Sequence, residues 1–245
     1  MTTSKPPSTA ERAAAALREQ QRREQRRSLA IVGAVVAVLV IIGGLTWFAI
    51  SREDTTGAPV AASGTPGNTD GYSVVVGAAD APLTMKFYED PQCPICQQFE
   101  AQVGPEVAAA VDAGNVKVEY HIVSFLDRAS TNAYSSRAAN ALYVVADAAG
   151  PDVFKKFHDL LYENEPEENS AGPDDDQLIQ WAVQAGADED AVSQPIKDDV
   201  YAQWVTNATD QMSKDGVNGT PGVFIDDKLQ PDPGTAVNAV LEAVK

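Results

Sequence analysis

Cysteine and histidine are both scarce in this sequence, which has two of each among 245 residues. A structural zinc centre needs four ligands, usually in two close pairs. The two histidines, His121 and His158, lie far along the chain from each other and from the cysteines. We therefore predict no metal site and no cofactor.

Positive charge is also in short supply, with 18 Lys and Arg against 35 Asp and Glu, so the net charge is −17. The balance differs along the chain: residues 1–28 hold seven basic and three acidic residues, and the rest of the chain carries −21. So acidic a region repels phosphate backbones, which argues against nucleic-acid binding. We interpret the acid excess as a solvated surface.

One long run without charge stands near the N-terminus, where Leu29 to Ile50 gives 22 uncharged residues. If this run forms a helix, at 1.5 Å per residue it would span about 33 Å, enough for one bilayer crossing. Because four arginines precede the run, we predict a cytoplasmic basic tail at 1–28 and a single transmembrane helix at 29–50. A flexible linker rich in small residues follows at 51–70. Small residues at 58–63 leave cleavage open as an alternative.

The two cysteines are spaced C-x-x-C in the stretch DPQCPIC at 90–96. A predicted strand, Leu83 to Tyr88, runs into this motif, and a predicted helix begins inside it. In the first turn of a helix, residues i and i+3 bring their Cβ atoms within about 4 Å, as a disulfide requires. Unpaired N–H groups at the helix N-terminus favour a thiolate there. We therefore predict Cys93 as the acidic, exposed nucleophile and Cys96 as the buried resolving thiol.

This motif resembles the thioredoxin superfamily, and within it the DsbA-like branch of bacterial extracytoplasmic oxidoreductases. The matching stretches are FYEDPQCPIC at 87–96 and GTPGVFI at 219–225. The resemblance covers roughly residues 71–245. It implies an α/β thioredoxin fold with an inserted helical subdomain at about 130–215, preceded here by the transmembrane helix.

The same resemblance implies an active site in which a late proline is cis and faces the cysteine pair. Pro221 matches this proline, and Thr220 is the residue before it. Between the cysteines lie Pro94, which fits the first position of a helix, and Ile95. The best-known DsbA motif has a histidine in place of Ile95. Since isoleucine neither donates a hydrogen bond nor carries charge, the oxidising strength of that enzyme cannot be carried over.

Two acidic residues, Glu89 and Asp90, precede Cys93 by four and three positions. Their negative charge would raise the pKa of the thiol. The alternative is that Asp90 only caps the turn or the helix. We predict a pKa for Cys93 in the upper half of the range of about 3.5 to 7 known for C-x-x-C thiols.

The hydrophobic periodicity assigns structural positions, rather than active-site roles, to the two histidines. His121 falls on the more polar face of a predicted strand at 116–124, so we predict a plain surface histidine. His158 shares a helical face with two phenylalanines and a leucine, so we predict a core or boundary residue. The acidic stretch from Glu163 to Asp176 is predicted to be a loop.

The sequence thus predicts an extracytoplasmic thiol:disulfide oxidoreductase that introduces disulfides into secreted proteins through a Cys93/Cys96 cycle. The resemblance implies two kinds of partner, secreted client proteins with free thiols and a membrane reoxidase of the DsbB or VKOR type. We expect a monomer anchored in the cell membrane. A disulfide reductase or isomerase of the cell envelope stays open, because it would use the same motif. An anchored binding or chaperone domain with a structural disulfide is the second alternative.

Overall fold

The computed structural model describes residues 69–245. The predicted basic tail, the predicted transmembrane helix and nearly all of the predicted linker lie outside this range. Within the described range, no helix is both long and apolar enough to cross a lipid bilayer.

A mixed sheet of six strands forms the centre of the described residues. The strands are β1 (Thr69–Asp70), β2 (Ser73–Val76), β3 (Leu83–Glu89), β4 (Val116–Ile122), β5 (Gly222–Ile225) and β6 (Lys228–Leu229). Their order is β1-β2-β4-β3-β5-β6. Only β3 and β4 run parallel, and the other neighbouring pairs are antiparallel.

Both edges of the sheet are hairpins with two-residue turns. Gly71 and Tyr72 join β1 to β2 with φ angles of 53° and 70°, and Asp226 and Asp227 join β5 to β6 with 46° and 62°. Positive φ at both central positions is typical of turns that match the twist of a hairpin. Since Thr69 and Asp70 pair with β2, the sheet begins two residues before residue 71, the predicted start of the domain.

The described residues also form seven α-helices. They are α1 (Pro94–Asp112), α2 (Tyr134–Ala149), α3 (Pro151–Glu163), α4 (Asp175–Ala185), α5 (Glu189–Lys197), α6 (Ala202–Lys214) and α7 (Pro233–Ala243). Helix α1 crosses over from β3 to the parallel strand β4, as parallel pairing requires. Five helices, α2 to α6, lie between β4 and β5, and α7 packs against α1 and β5.

Alternate side chains of β3 reach opposite faces of the sheet, as the period of a strand requires. On one face, the ring of Phe87 meets the edge of Phe99 from α1 at 5.2 Å between centroids. On the other face, Tyr88 packs in a second cluster with Ala208 and Met212 of α6. The end of β3, where the cysteine motif begins, is therefore held from both sides.

His121 is buried, so the prediction of a surface histidine is wrong. Its strand β4 is internal to the sheet, and α6 packs against it. The ring stacks on Tyr88 with 4.3 Å between centroids, and only 6% of the residue is exposed. Burial lowers the pKa of His121 to about 4, so the ring is neutral at physiological pH.

Gly222 opens β5 directly after Pro221, and no larger residue fits there. A Cβ atom at this position would lie 2.3 Å from Val217 Cγ1 and 3.3 Å from Tyr88 Cβ. We expect Gly222→Ala to lower the free energy of unfolding by about 1–3 kcal/mol through overpacking. Gly219→Ala is the matched control, since nothing beyond its own chain neighbours lies within 4 Å of its Cβ position. Urea denaturation of the two variants tests this, and equal stabilities would contradict it.

Candidate active site

The cysteine motif begins where β3 ends and the chain turns into α1. Cys93 is the N-cap residue of α1, in an extended conformation, and Pro94 is the first helical residue. The Cys93 N–H donates to the Asp90 carbonyl at 3.0 Å, and the Cys93 carbonyl accepts from the Cys96 N–H at 2.8 Å. The Cys93 thiol thus lies at the positive end of the helix, where N–H groups lack partners within the helix.

Both cysteines are free thiols, and Cys93 faces a late loop across this turn. When it is protonated, Cys93 Sγ donates to the Thr220 carbonyl oxygen at 3.4 Å, and the Thr220–Pro221 peptide bond is cis. Pro221 is buried. The structure therefore brings together Cys93, Thr220 and Pro221, which are far apart in sequence.

The environments of the two thiols shift their pKa values in opposite directions. The hydrogen bond from the Cys96 thiol, aided by the Thr220 side chain and by backbone N–H groups, outweighs burial and lowers the pKa of Cys93 to about 6. Complete burial raises the pKa of Cys96 well above its ordinary value, and the charges of Cys93 and Glu89 add to this. At neutral pH, Cys93 is therefore a thiolate and Cys96 a thiol.

Cys93 is more buried than the sequence predicts, with only 5% of the residue exposed. Tyr162 of α3 and Leu126, which follows β4, pack against the cysteine pair. The exposed member of the motif is Ile95, at 48%. Tyr162 is a site residue that sequence reasoning missed: its hydroxyl donates to the Asp90 carbonyl at 3.2 Å.

Asp90 organises the turn before the cysteines. One carboxylate oxygen accepts from the Gln92 N–H at 2.9 Å and from the Ser135 hydroxyl at 2.7 Å. The other accepts from the Leu126 N–H at 2.7 Å. Asp90 thus caps the turn, whereas no side chain caps the helix itself. Burial raises the pKa of Asp90 to about 7, and the Cys93 charge contributes.

Glu89 points into a buried network of charged groups. Glu89 Oε2 lies 3.0 Å from His158 Nε2, and His158 Nδ1 lies 3.3 Å from Asp159 Oδ1. Burial raises the pKa of Glu89. Burial also acts to lower the pKa of His158, but its hydrogen bonds to Asp159 and Glu89 outweigh this and raise it. His158 is fully buried, as predicted, and it is paired with a carboxylate that lies four residues before Cys93.

This network is the one group of the described residues with the composition of a metal site. Glu89, Glu100 and His158 each place one possible ligand atom within 4.8 Å of the others. However, Lys155 Nζ lies 3.5 Å from Glu100 Oε2 and also contacts Asp159. The ammonium group and the protonated imidazole therefore neutralise the carboxylates that a cation would need.

The low pKa of Cys93 predicts how alkylation of the reduced protein depends on pH. Because only the thiolate reacts, we expect the rate with iodoacetamide to rise with pH through a midpoint near pH 6, as the pKa of Cys93 is about 6. One thiol should react, since Cys96 stays protonated and buried. Mass spectrometry of the labelled protein measures both. A midpoint near pH 8.5, the value for a free cysteine, would contradict the geometry.

Comparison with known proteins agrees with this arrangement. The sequence model of the family described as Thioredoxin matches residues 69–242. The chain is similar to the disulfide bond oxidoreductase DsbG of Mycobacterium tuberculosis, with 32% identity and a TM-score of 0.62 over 72% of this chain and 89% of that one. It is 25% identical to disulfide bond formation protein D of Bacillus subtilis, over 63% of this chain and 68% of that protein.

A further relative is the serine/threonine-protein kinase PknE of Mycobacterium tuberculosis. It is 33% identical over 158 residues, which make up 62% of this chain but 28% of the kinase. The similarity is thus to a part of that longer protein. The family match, the DsbG likeness and the Cys93–Cys96 site all agree. The chain therefore belongs to the thioredoxin family and, within it, to the DsbA-like thiol:disulfide oxidoreductases.

Proposed function

We propose that this protein works outside the cytoplasm and introduces disulfides into secreted proteins. The observation that carries the proposal is the opposite shift of the two thiol pKa values, with Cys93 lowered to about 6 and Cys96 raised. A thiol with a low pKa is a good leaving group, and a stabilised thiolate favours the reduced form of the protein. Both effects favour transfer of a disulfide to a client.

The proposed cycle starts from the Cys93–Cys96 disulfide. A client thiolate attacks Cys93 Sγ, the bond between the two cysteines breaks, and Cys96 leaves and takes up a proton. A second client thiolate then attacks the client sulfur of the mixed disulfide, and Cys93 leaves as a thiolate. The client has gained a disulfide, and the protein has gained two electrons.

The partners and the location belong to the same proposal. A membrane reoxidase of the DsbB or VKOR type would accept the two electrons and restore the disulfide. Residues 29–50 would anchor the protein in the cell membrane, with the basic tail in the cytoplasm. The oxidising direction supports a position outside the cytosol, because stable disulfides form mainly there.

Oxidation of a reduced, unfolded client protein by the oxidised full chain in detergent tests the proposal. We expect one client disulfide to form for each equivalent of protein, with the Cys93–Cys96 pair reduced in step. Free thiols can be counted in both proteins after separation. Client thiols that persist beside an intact Cys93–Cys96 disulfide would overturn the proposal.

A further inference from the structure

Two exposed apolar side chains belong to the segments that form the cysteine site. Ile95 is 48% exposed and lies two residues after Cys93, and Phe125 is 45% exposed. Phe125 precedes Leu126, which packs against the cysteine pair and is fixed by its N–H bond to Asp90. An apolar surface at this place is available to a client segment that approaches Cys93.

The loop after α3 brings negative charge to the same place. It holds Glu165, Glu167 and Glu168, and Glu163 is the last residue of α3. The Gln92 amide donates to the Glu167 carbonyl at 3.3 Å, which ties the loop to the residue before Cys93. Burial raises the pKa of Glu165 to about 8, and the charges of Cys93 and Asp90 add to it. Tyr162, three residues before Glu165, packs against the cysteine pair, so the loop begins beside the reactive thiol.

Two acceptor atoms on this surface lack a partner. Among the described residues, no donor reaches Gln92 Oε1 or Glu165 Oε2, although both atoms are buried. An unpaired buried acceptor costs free energy until a donor arrives. Gln92 is completely buried, so a client side chain cannot reach it, whereas Glu165 is only partly buried. Arginine and lysine side chains carry only donors, and the exposed Arg128 is outnumbered by the four glutamates of residues 163–168.

We propose that the surface formed by Ile95, Phe125 and the glutamates of residues 163–168 selects client segments with arginine or lysine close to the reactive cysteine. This proposal rests on the proposed function and adds a substrate class to it. A client cation beside Glu165 favours the ionised carboxylate, so Glu165 would release a proton as the client binds. Apolar client residues would cover Ile95 and Phe125.

Three dithiol peptides that differ only in the residue next to the reactive cysteine, Arg, Gln or Glu, test this selection. The oxidised full chain reacts with each, and each rate is divided by the rate of the same peptide with glutathione disulfide. This division removes the effect of the neighbour on the peptide thiol. We expect the Arg peptide to exceed the Glu peptide by about tenfold at low salt, and the ratio to shrink in about 0.5 M salt.

Substitutions of single glutamates test whether the acidic residues cause the preference for the Arg peptide. Glu165→Gln and Glu168→Gln are expected to reduce the Arg-to-Glu ratio about threefold each, since a glutamine cannot present a carboxylate to the client cation. The control is Glu106→Gln, which lies on α1 beside Val244 and Lys245 and should leave the ratio unchanged. Equal normalised rates for the three peptides would overturn the selection alone. Failure to oxidise any peptide would overturn the proposed function as well.

Discussion

We expect Cys93→Ser to lower the rate of disulfide exchange on the order of 10⁴-fold or more, as removal of a nucleophile does in other enzymes. A serine hydroxyl forms no disulfide and stays protonated at neutral pH, and Cys96 cannot substitute because it is completely buried. Reduction of a dye-labelled disulfide peptide by the reduced full chain measures the rate.

The variant Cys96→Ser distinguishes the role of the resolving thiol from that of the nucleophile. Cys93 keeps its place at the N-terminus of α1, so we expect it still to attack a client disulfide but to stop at the mixed disulfide, which a non-reducing gel detects. Persistent exchange in Cys93→Ser would contradict the assignment of the nucleophile. Release of the client by Cys96→Ser at the wild-type rate would contradict the assignment of the resolving thiol.

We expect His158→Phe to lower the free energy of unfolding by about 3–5 kcal/mol, the usual cost of removing one partner of a buried ion pair. Glu89 would be left fully buried without the 3.0 Å contact to His158 Nε2, and its other carboxylate oxygen already lacks a partner among the described residues. Urea denaturation of the reduced protein at pH 7 measures the loss.

His121→Phe is the matched control for that experiment. His121 is also buried, but among the described residues neither of its ring nitrogens has a hydrogen-bond partner. We expect its replacement to change stability by less than about 1 kcal/mol. The double variant Glu89→Gln, His158→Phe should lose less than the two single losses added together, because the pair is coupled. Additive losses would contradict a coupled pair.

Much of the site could be predicted because it depends on local spacing. The C-x-x-C motif between a strand and a helix places Cys93 at the N-terminus of α1 wherever the rest of the chain lies. The α/β class is implied by the resemblance that this motif and the stretch GTPGVFI at 219–225 carry. These features need no knowledge of distant contacts.

The parts that could not be predicted depend on contacts between distant segments. Cys93 is buried because Leu126 and Tyr162 pack on it, and neither is near it in sequence. The alternation of polar and apolar residues in β4 places His121 correctly on one face of a strand. It does not predict the helix that covers that face. The helical period placed His158 in the core, yet only the fold shows that Glu89 is its partner.

The acidic loop shows the same limit. A run of glutamates in residues 163–168 is predicted to be solvated, and composition offers no sign that it approaches the cysteines. The hydrogen bond from Gln92 to Glu167 and the interaction of Glu165 with Cys93 depend on where α3 ends. A half-buried glutamate near a thiolate can be found only once the loop is placed.

The central claim is that the Cys93–Cys96 pair donates its disulfide, and its reduction potential tests that claim most directly. The full chain is equilibrated with glutathione buffers at pH 7, and the fraction reduced is measured after acid quenching. With the pKa of Cys93 lowered to about 6, we expect a potential above about −180 mV, in the range of disulfide donors. A potential near about −270 mV, as in thioredoxin, would contradict the account and mark the protein as a reductase.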